Sequence, residues 1–169
     1  PEAAPDWSEA TLLATLDAWL GPHLFGMGRL SHLQSLDLRG VLTSALGYDG
    51  LEALRRLAPE AVPIASGRSA SIDYSDPERP VLAAKLQELF GKQPALAILG
   101  GRLPLTLHLL SPAGRPLQVT RDLEHFWDNA YVEVAKEMRG RYPKHPWPDD
   151  PRSALATAKT KRALGRDAS

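Results

Sequence analysis

The sequence contains no cysteine. Disulfides, thiolate nucleophiles and cysteine-based zinc sites are therefore excluded, and the composition suits a cytoplasmic protein. No apolar run approaches the roughly 18 residues of a membrane span, so no membrane partner is expected. There is no G-x-x-x-x-G-K-[ST] loop to cradle a nucleotide's phosphates, and no acidic metal-holding motif after a strand. By itself the chain is expected to hydrolyse no ATP and to carry no cofactor. Its five histidines (His23, His32, His108, His125 and His145) include no pair spaced for zinc around a general-base glutamate. Ser66 and Ser111 lack the surroundings of a nucleophile elbow. Asp149 and Asp150 lie between prolines, where a loop or capping role is expected. An excess of charge is missing too, with 20 Lys and Arg against 20 Asp and Glu. That balance conceals an asymmetry. Lys136 to Ser169 holds nine basic residues against four acidic ones, whereas the first 135 residues hold eleven against sixteen. A basic end on an acidic body suits contact with a polyanion, though a solvated tail would have the same composition.

Proline and glycine, by contrast, are plentiful (15 and 13) and punctuate the chain. Residues 1–60 are expected to form helical hairpins. Asp6-Trp-Ser-Glu9 has capping-box spacing with Asp6 as the cap, Leu12, Leu13, Leu16, Trp19 and Leu20 give an apolar face, and Gly21-Pro22 is the stop. A second helix is expected over Leu33–Leu46, its main part capped by Asp37. A turn at Gly47–Gly50 leads to a short helix that ends before Pro59, with Asp49 as its cap and Leu51, Leu54 and Leu57 inward.

Residues 61–122 are expected to form a β-domain. Strands are expected at 61–65, 69–74, 95–99, 103–111 and 117–120, with one helix over Val81–Phe90 started by Pro80 and stopped by Gly91. Leu103, Leu105, Leu107 and Leu109 alternate with Pro104, Thr106 and His108, the period of a half-buried strand. Five short strands with one inserted helix suggest a small antiparallel OB-like barrel. Residues 123–148 are expected to be a long amphipathic helix followed by a rigid exit. Leu123, Phe126, Trp127, Ala130, Tyr131, Val134 and Met138 lie on one helical face, capped by Thr120 or Asp122 and ended by Gly140. Residues 149–169 complete the chain as an irregular basic tail. The fold class is therefore α+β.

The candidate binding residues are basic or aromatic. Arg102 and Arg115 each sit beside a glycine turn that can offer backbone N–H groups and a guanidinium to a phosphate. The turns serve equally as plain hairpins. Arg139, Arg141, Tyr142, Lys144, His145 and Trp147 interleave cations with rings along a segment, 139–151, that holds four prolines. Cations on phosphates and rings on bases suit single-stranded nucleic acid. The rings can instead pack back as a latch, since a polyproline-type segment has little entropy to lose on docking. Lys159-Thr-Lys-Arg162 adds a short basic cluster that can supply sequence-independent affinity for RNA.

Three stretches together resemble one family. These are Ser111–Thr120, Phe126-Trp127 and above all Arg139-Gly-Arg-Tyr-Pro-Lys-His-Pro-Trp-Pro-Asp-Asp-Pro151. They look like the C-terminal region of the HrpB family of bacterial DExH-type ATP-dependent helicases. Pro80–Gly91, Asp6-Trp7 and Leu16–Leu20 fit the same family. The chain opens on Pro1 rather than methionine, from which we expect a piece of a longer protein. The resemblance implies a parent enzyme that couples NTP hydrolysis to moving along or unwinding nucleic acid, RNA in particular. It places the ATP and magnesium sites upstream and makes this chain a noncatalytic accessory module against the helicase core, helping to enclose a single strand. The rival is a protein-docking domain that recruits a partner to that core. Salt dependence separates the two, because phosphate contacts weaken steeply as salt rises.

Overall fold

The computed structural model describes residues 6–167 and divides into two compact units that meet between Arg56 and Leu57. In the first, α1 (Glu9–Ala14) is capped by Ser8, whose Oγ accepts from the Thr11 amide at 3.3 Å. Asp6, the expected cap, instead accepts from the Ser8 amide and from the Thr11 hydroxyl. After α2 (Leu16–Trp19), Pro22 sits in the first turn of a 3-10 helix, Gly21–Leu24, so the expected stop is a change of helix type. The helix expected over 33–46 is two: α3 (Leu30–Gln34), then α4 (Leu38–Leu57), which opens with Asp37 accepting from the Gly40 amide at 2.9 Å. α4 kinks at Gly47, where φ is 65°. A side chain there would be strained, so glycine sets the kink. Among the described residues of this unit only Val41 is buried.

The second unit is built on a sheet. Its strands are β1 (Ala61–Pro63), β2 (Ser69–Asp73), β3 (Val81–Lys85), β4 (Ala97–Ile98), β5 (Leu103–Pro104), β6 (Thr106–Leu110) and β7 (Pro116–Thr120). Three helices follow, α5 (Leu123–Asn129), α6 (Tyr131–Arg141) and α7 (Lys161–Asp167). The main sheet runs β1-β2-β3-β6-β7, while β4 and β5 form a separate hairpin. The expected antiparallel OB-like barrel is thus corrected to an open, mixed five-stranded sheet with β1 and β7 at its edges. β3 lies parallel to β6, with Val81 opposite Thr106 and Lys85 opposite Leu110. The helix expected over 81–90 is β3 followed by a 3-10 turn, Leu86–Leu89. Leu82 and Ala84 point into the core beside Leu107 and Leu109, and the strand alternation outweighs the local helix preference of Ala, Leu, Lys and Gln.

α5 and α6 cover this face. Asp122 caps α5 through the His125 amide at 2.9 Å. The expected single helix breaks at Ala130, and Gly140 does not end it: α6 continues to Arg141. Phe90, Trp127 and Tyr131 form an aromatic cluster in which Tyr131 meets both other rings edge to face, Trp127 and Tyr131 at 5.3 Å and 85°. The stretch 149–169, expected to be irregular, carries α7 among its described residues and is pinned to the sheet's connections at Pro151 and Thr157. Gly91 donates to the Pro151 carbonyl and the Thr157 amide to that of Gln87, both at 2.8 Å. Gly91 has φ 71°, and a Cβ there would lie 2.8 Å from the Ala154 carbonyl, so this junction requires glycine.

Candidate nucleic-acid interface

The proline-rich exit after α6 is held by three successive carbonyls. Gln87 Nε2 donates to Pro146 at 3.0 Å, Arg139 donates through Nη2 to Trp147 at 2.9 Å, and the Tyr131 hydroxyl donates to Pro148 at 2.7 Å. Prolines cannot donate and their φ is fixed, so their carbonyls stand ready for side-chain donors. Trp147 is buried, and its Nε1 donates to the Tyr142 carbonyl at 3.1 Å. Arg139 also pairs with Asp149, and Arg152 reaches Glu124 and Asp128, both at 2.7 Å. Burial pushes the Tyr131 phenol well above its ordinary pKa, which keeps it a donor. The rings of the exit therefore act as a latch. Trp147 as it stands offers no face to a base.

Beside the latch, strand pairing and hydrogen bonds bring four stretches that carry basic residues to one end of the sheet. Lys85 ends β3 opposite Leu110, at the start of the 111–115 turn. That turn is closed by Ser111 donating to the Arg115 carbonyl at 2.8 Å and by the Arg115 amide donating to Ser111 Oγ at 3.1 Å. The Tyr142 hydroxyl lies 3.5 Å from the same Oγ. Lys144 follows, and its carbonyl accepts from the Lys161 amide at 2.8 Å, which brings the start of α7 alongside. Arg115, Lys144 and Lys161 are exposed and have no ion-pair partner among the described residues. In the absence of a local counter-charge, their field is directed at solvent.

The remaining sequence candidates divide. Arg141 pairs with Glu137 at 3.3 Å on an exposed helix face, a contact of small worth. His145 has its pKa lowered, by burial first and then by the charge of Lys85, so at neutral pH it adds no cation. Arg102 braces its own β4–β5 turn, its Nε donating to the Leu99 carbonyl at 2.8 Å, and among the described residues no hydrogen bond or ion pair ties it to the basic cluster. Lys85 was hidden in sequence by the helix expected there. The partnership of Lys144 with Lys161 has no sequence signal, since it rests on one backbone bond across 17 residues. Among the described residues no group of acids and histidines is arranged to hold a metal, and no helix is long and apolar enough to cross a membrane.

Residues 19–151 match the family model described as the ATP-dependent helicase C-terminal domain of HrpB. The chain belongs to the HrpB C-terminal family. It is 45% identical over 160 residues to the ATP-dependent RNA helicase HrpB of Escherichia coli K12, which covers 93% of this chain and 20% of that protein. The HrpB likeness extends to structure. A crystal structure of the E. coli DExH-box NTPase HrpB superposes with a TM-score of 0.80 at 45% identity, over 92% of this chain and 19% of its own. A second, of the E. coli DEAH/RHA helicase HrpB, gives 0.63 at 41% identity, over 84% and 18%. The chain thus spans about a fifth of the length of these HrpB relatives.

Proposed function

We propose that this chain is the noncatalytic accessory module of a cytoplasmic ATP-dependent RNA helicase and that it holds a single strand by its phosphates. The observation that carries this reading is the convergence of Lys85, Arg115, Lys144 and Lys161 on one end of the sheet, beside a rigid latch. ATP and magnesium act in the part of the parent enzyme that relatives carry outside the matched region. The latch contributes rigidity, so that the cations sit at fixed spacing and little entropy is lost on binding.

Fluorescence anisotropy with a single-stranded oligouridylate, across a salt series, tests the proposal. An Arg115→Ala/Lys144→Ala/Lys161→Ala variant is expected to bind more weakly and to have a shallower salt slope. Three lost contacts at roughly 0.7 each reduce it by about two. Equal binding and equal slope in a folded variant would remove the cluster from the strand path.

One observation favours a second reading. In the first unit Phe25 is 97%, Tyr48 78% and Leu30 77% exposed, an apolar display suited to docking on protein. The partner would be the helicase core of the same polypeptide or a separate protein recruited to it, and such binding would be nearly insensitive to salt.

A further inference from the structure

A cleft of about 550 Å³ opens next to the basic cluster. Ser66 and Arg68 from the β1–β2 turn, Glu88, and Leu155, Ala158 and Leu164 from the C-terminal segment line it. Its size is that of an ordinary small-ligand site, which runs from roughly 300 to 1,000 Å³. Cleft and cluster share their framework. The Lys85 amide donates to Glu88 Oε2 at 3.2 Å, and Lys159, in the cleft wall, is two residues from Lys161.

Two features of the wall call for a ligand. The Arg68 guanidinium is clamped flat by Glu88, with Nε–Oε1 at 2.7 Å and Nη2–Oε2 at 3.0 Å, while 45% of its side chain stays exposed. The Ser66 hydroxyl is buried and has no hydrogen-bond partner. A fixed guanidinium plane, facing leucines and an unused hydroxyl are the groups that receive an unstacked base. Proteins that bind single-stranded RNA hold splayed bases on arginine planes and aromatic rings.

Resting on the phosphate-binding reading above, we infer that this cleft takes one nucleobase of the bound strand, stacked on Arg68 and hydrogen-bonded to Ser66. The basic rim holds the flanking phosphates, so the module binds single strands in preference to backbone alone.

The test compares an oligouridylate with an abasic ribose–phosphate oligomer of equal length, by anisotropy, on the full chain. The wild type is expected to bind the base-containing strand about tenfold more tightly, the scale of one stacked base. Ala158→Trp, which fills the cleft from an exposed position, is expected to abolish that preference and leave the abasic affinity unchanged. Ser66→Ala is expected to weaken only base-containing binding, by about threefold, the worth of one hydrogen bond. Equal affinity of the wild type for both oligomers overturns the base pocket while the phosphate reading stands. A preference that survives in both variants overturns it as well. Absence of binding to either oligomer sinks the phosphate reading on which the inference rests.

Discussion

Glu88 is a carboxylate with only 6% of its side chain exposed. Burial alone would raise its pKa, but the Arg68 hydrogen bonds, the Lys85 amide and the two cations outweigh it and hold the group below its ordinary value of 4.5. A depressed folded-state pKa contributes stability above 4.5, and this is lost as the pH falls through the folded value. Glu88→Gln is expected to cost about 1–3 kcal/mol at neutral pH, by leaving Arg68 and the Lys85 amide poorly paired. Urea unfolding near neutral pH and again well below 4.5 checks this. A wild-type advantage that is undiminished in acid would mean that the ion pair adds nothing.

The exit after α6 is the element whose chemistry was most legible in sequence and whose role was least so. Its prolines and rings announced a rigid segment, but whether the rings faced solvent or core depended on Gln87, Tyr131 and Arg139, up to 59 residues away. Trp147→Ala removes a buried indole and its bond to Tyr142, and is expected to cost about 3–5 kcal/mol. Thermal unfolding measures it; a loss under about 1 kcal/mol would show that the latch is not packed as described. The strands near 61, 69 and 117 were legible because alternation and turn residues are local signals, whereas the single strand expected over 103–111 divides at Leu105 between the β4–β5 hairpin and β6 of the main sheet. β3 was not. Its Val-Leu-Ala-Ala-Lys run satisfies helical spacing as well as alternation, and only parallel pairing with β6 decides between them. A partner 25 residues further along leaves no mark on local spacing, so a barrel was expected where the sheet is open. At the candidate site, Lys144 and Arg115 could be read from their neighbours, whereas Lys85 and Lys161 join them only through tertiary contacts.

At the scale of the whole molecule, the two units differ in how much they bury. The second gathers nearly all the core residues, Leu82, Leu107 and Leu109 among them, while α1 to α3 bury none. Local opening costs least where few apolar contacts must break. Amides of β3 and β6 are therefore expected to be the best protected in hydrogen exchange, and those of α1 to α3 to exchange far faster. Equal protection across both would refute this division of stability.

The bonds from Thr157 to Gln87, from Gly91 to Pro151 and from Lys161 to Lys144 have a consequence for the order of synthesis. The ribosome delivers β3 long before the segment that closes over its connection. Until residues 151–161 emerge, the Gln87 carbonyl and the Gly91 amide lack their native partners. The second unit can thus reach its native state only once residues 151–161 have emerged, and a nascent chain stopped short of Pro151 would hold an unfinished sheet whose unpaired groups favour chaperone capture over secure folding.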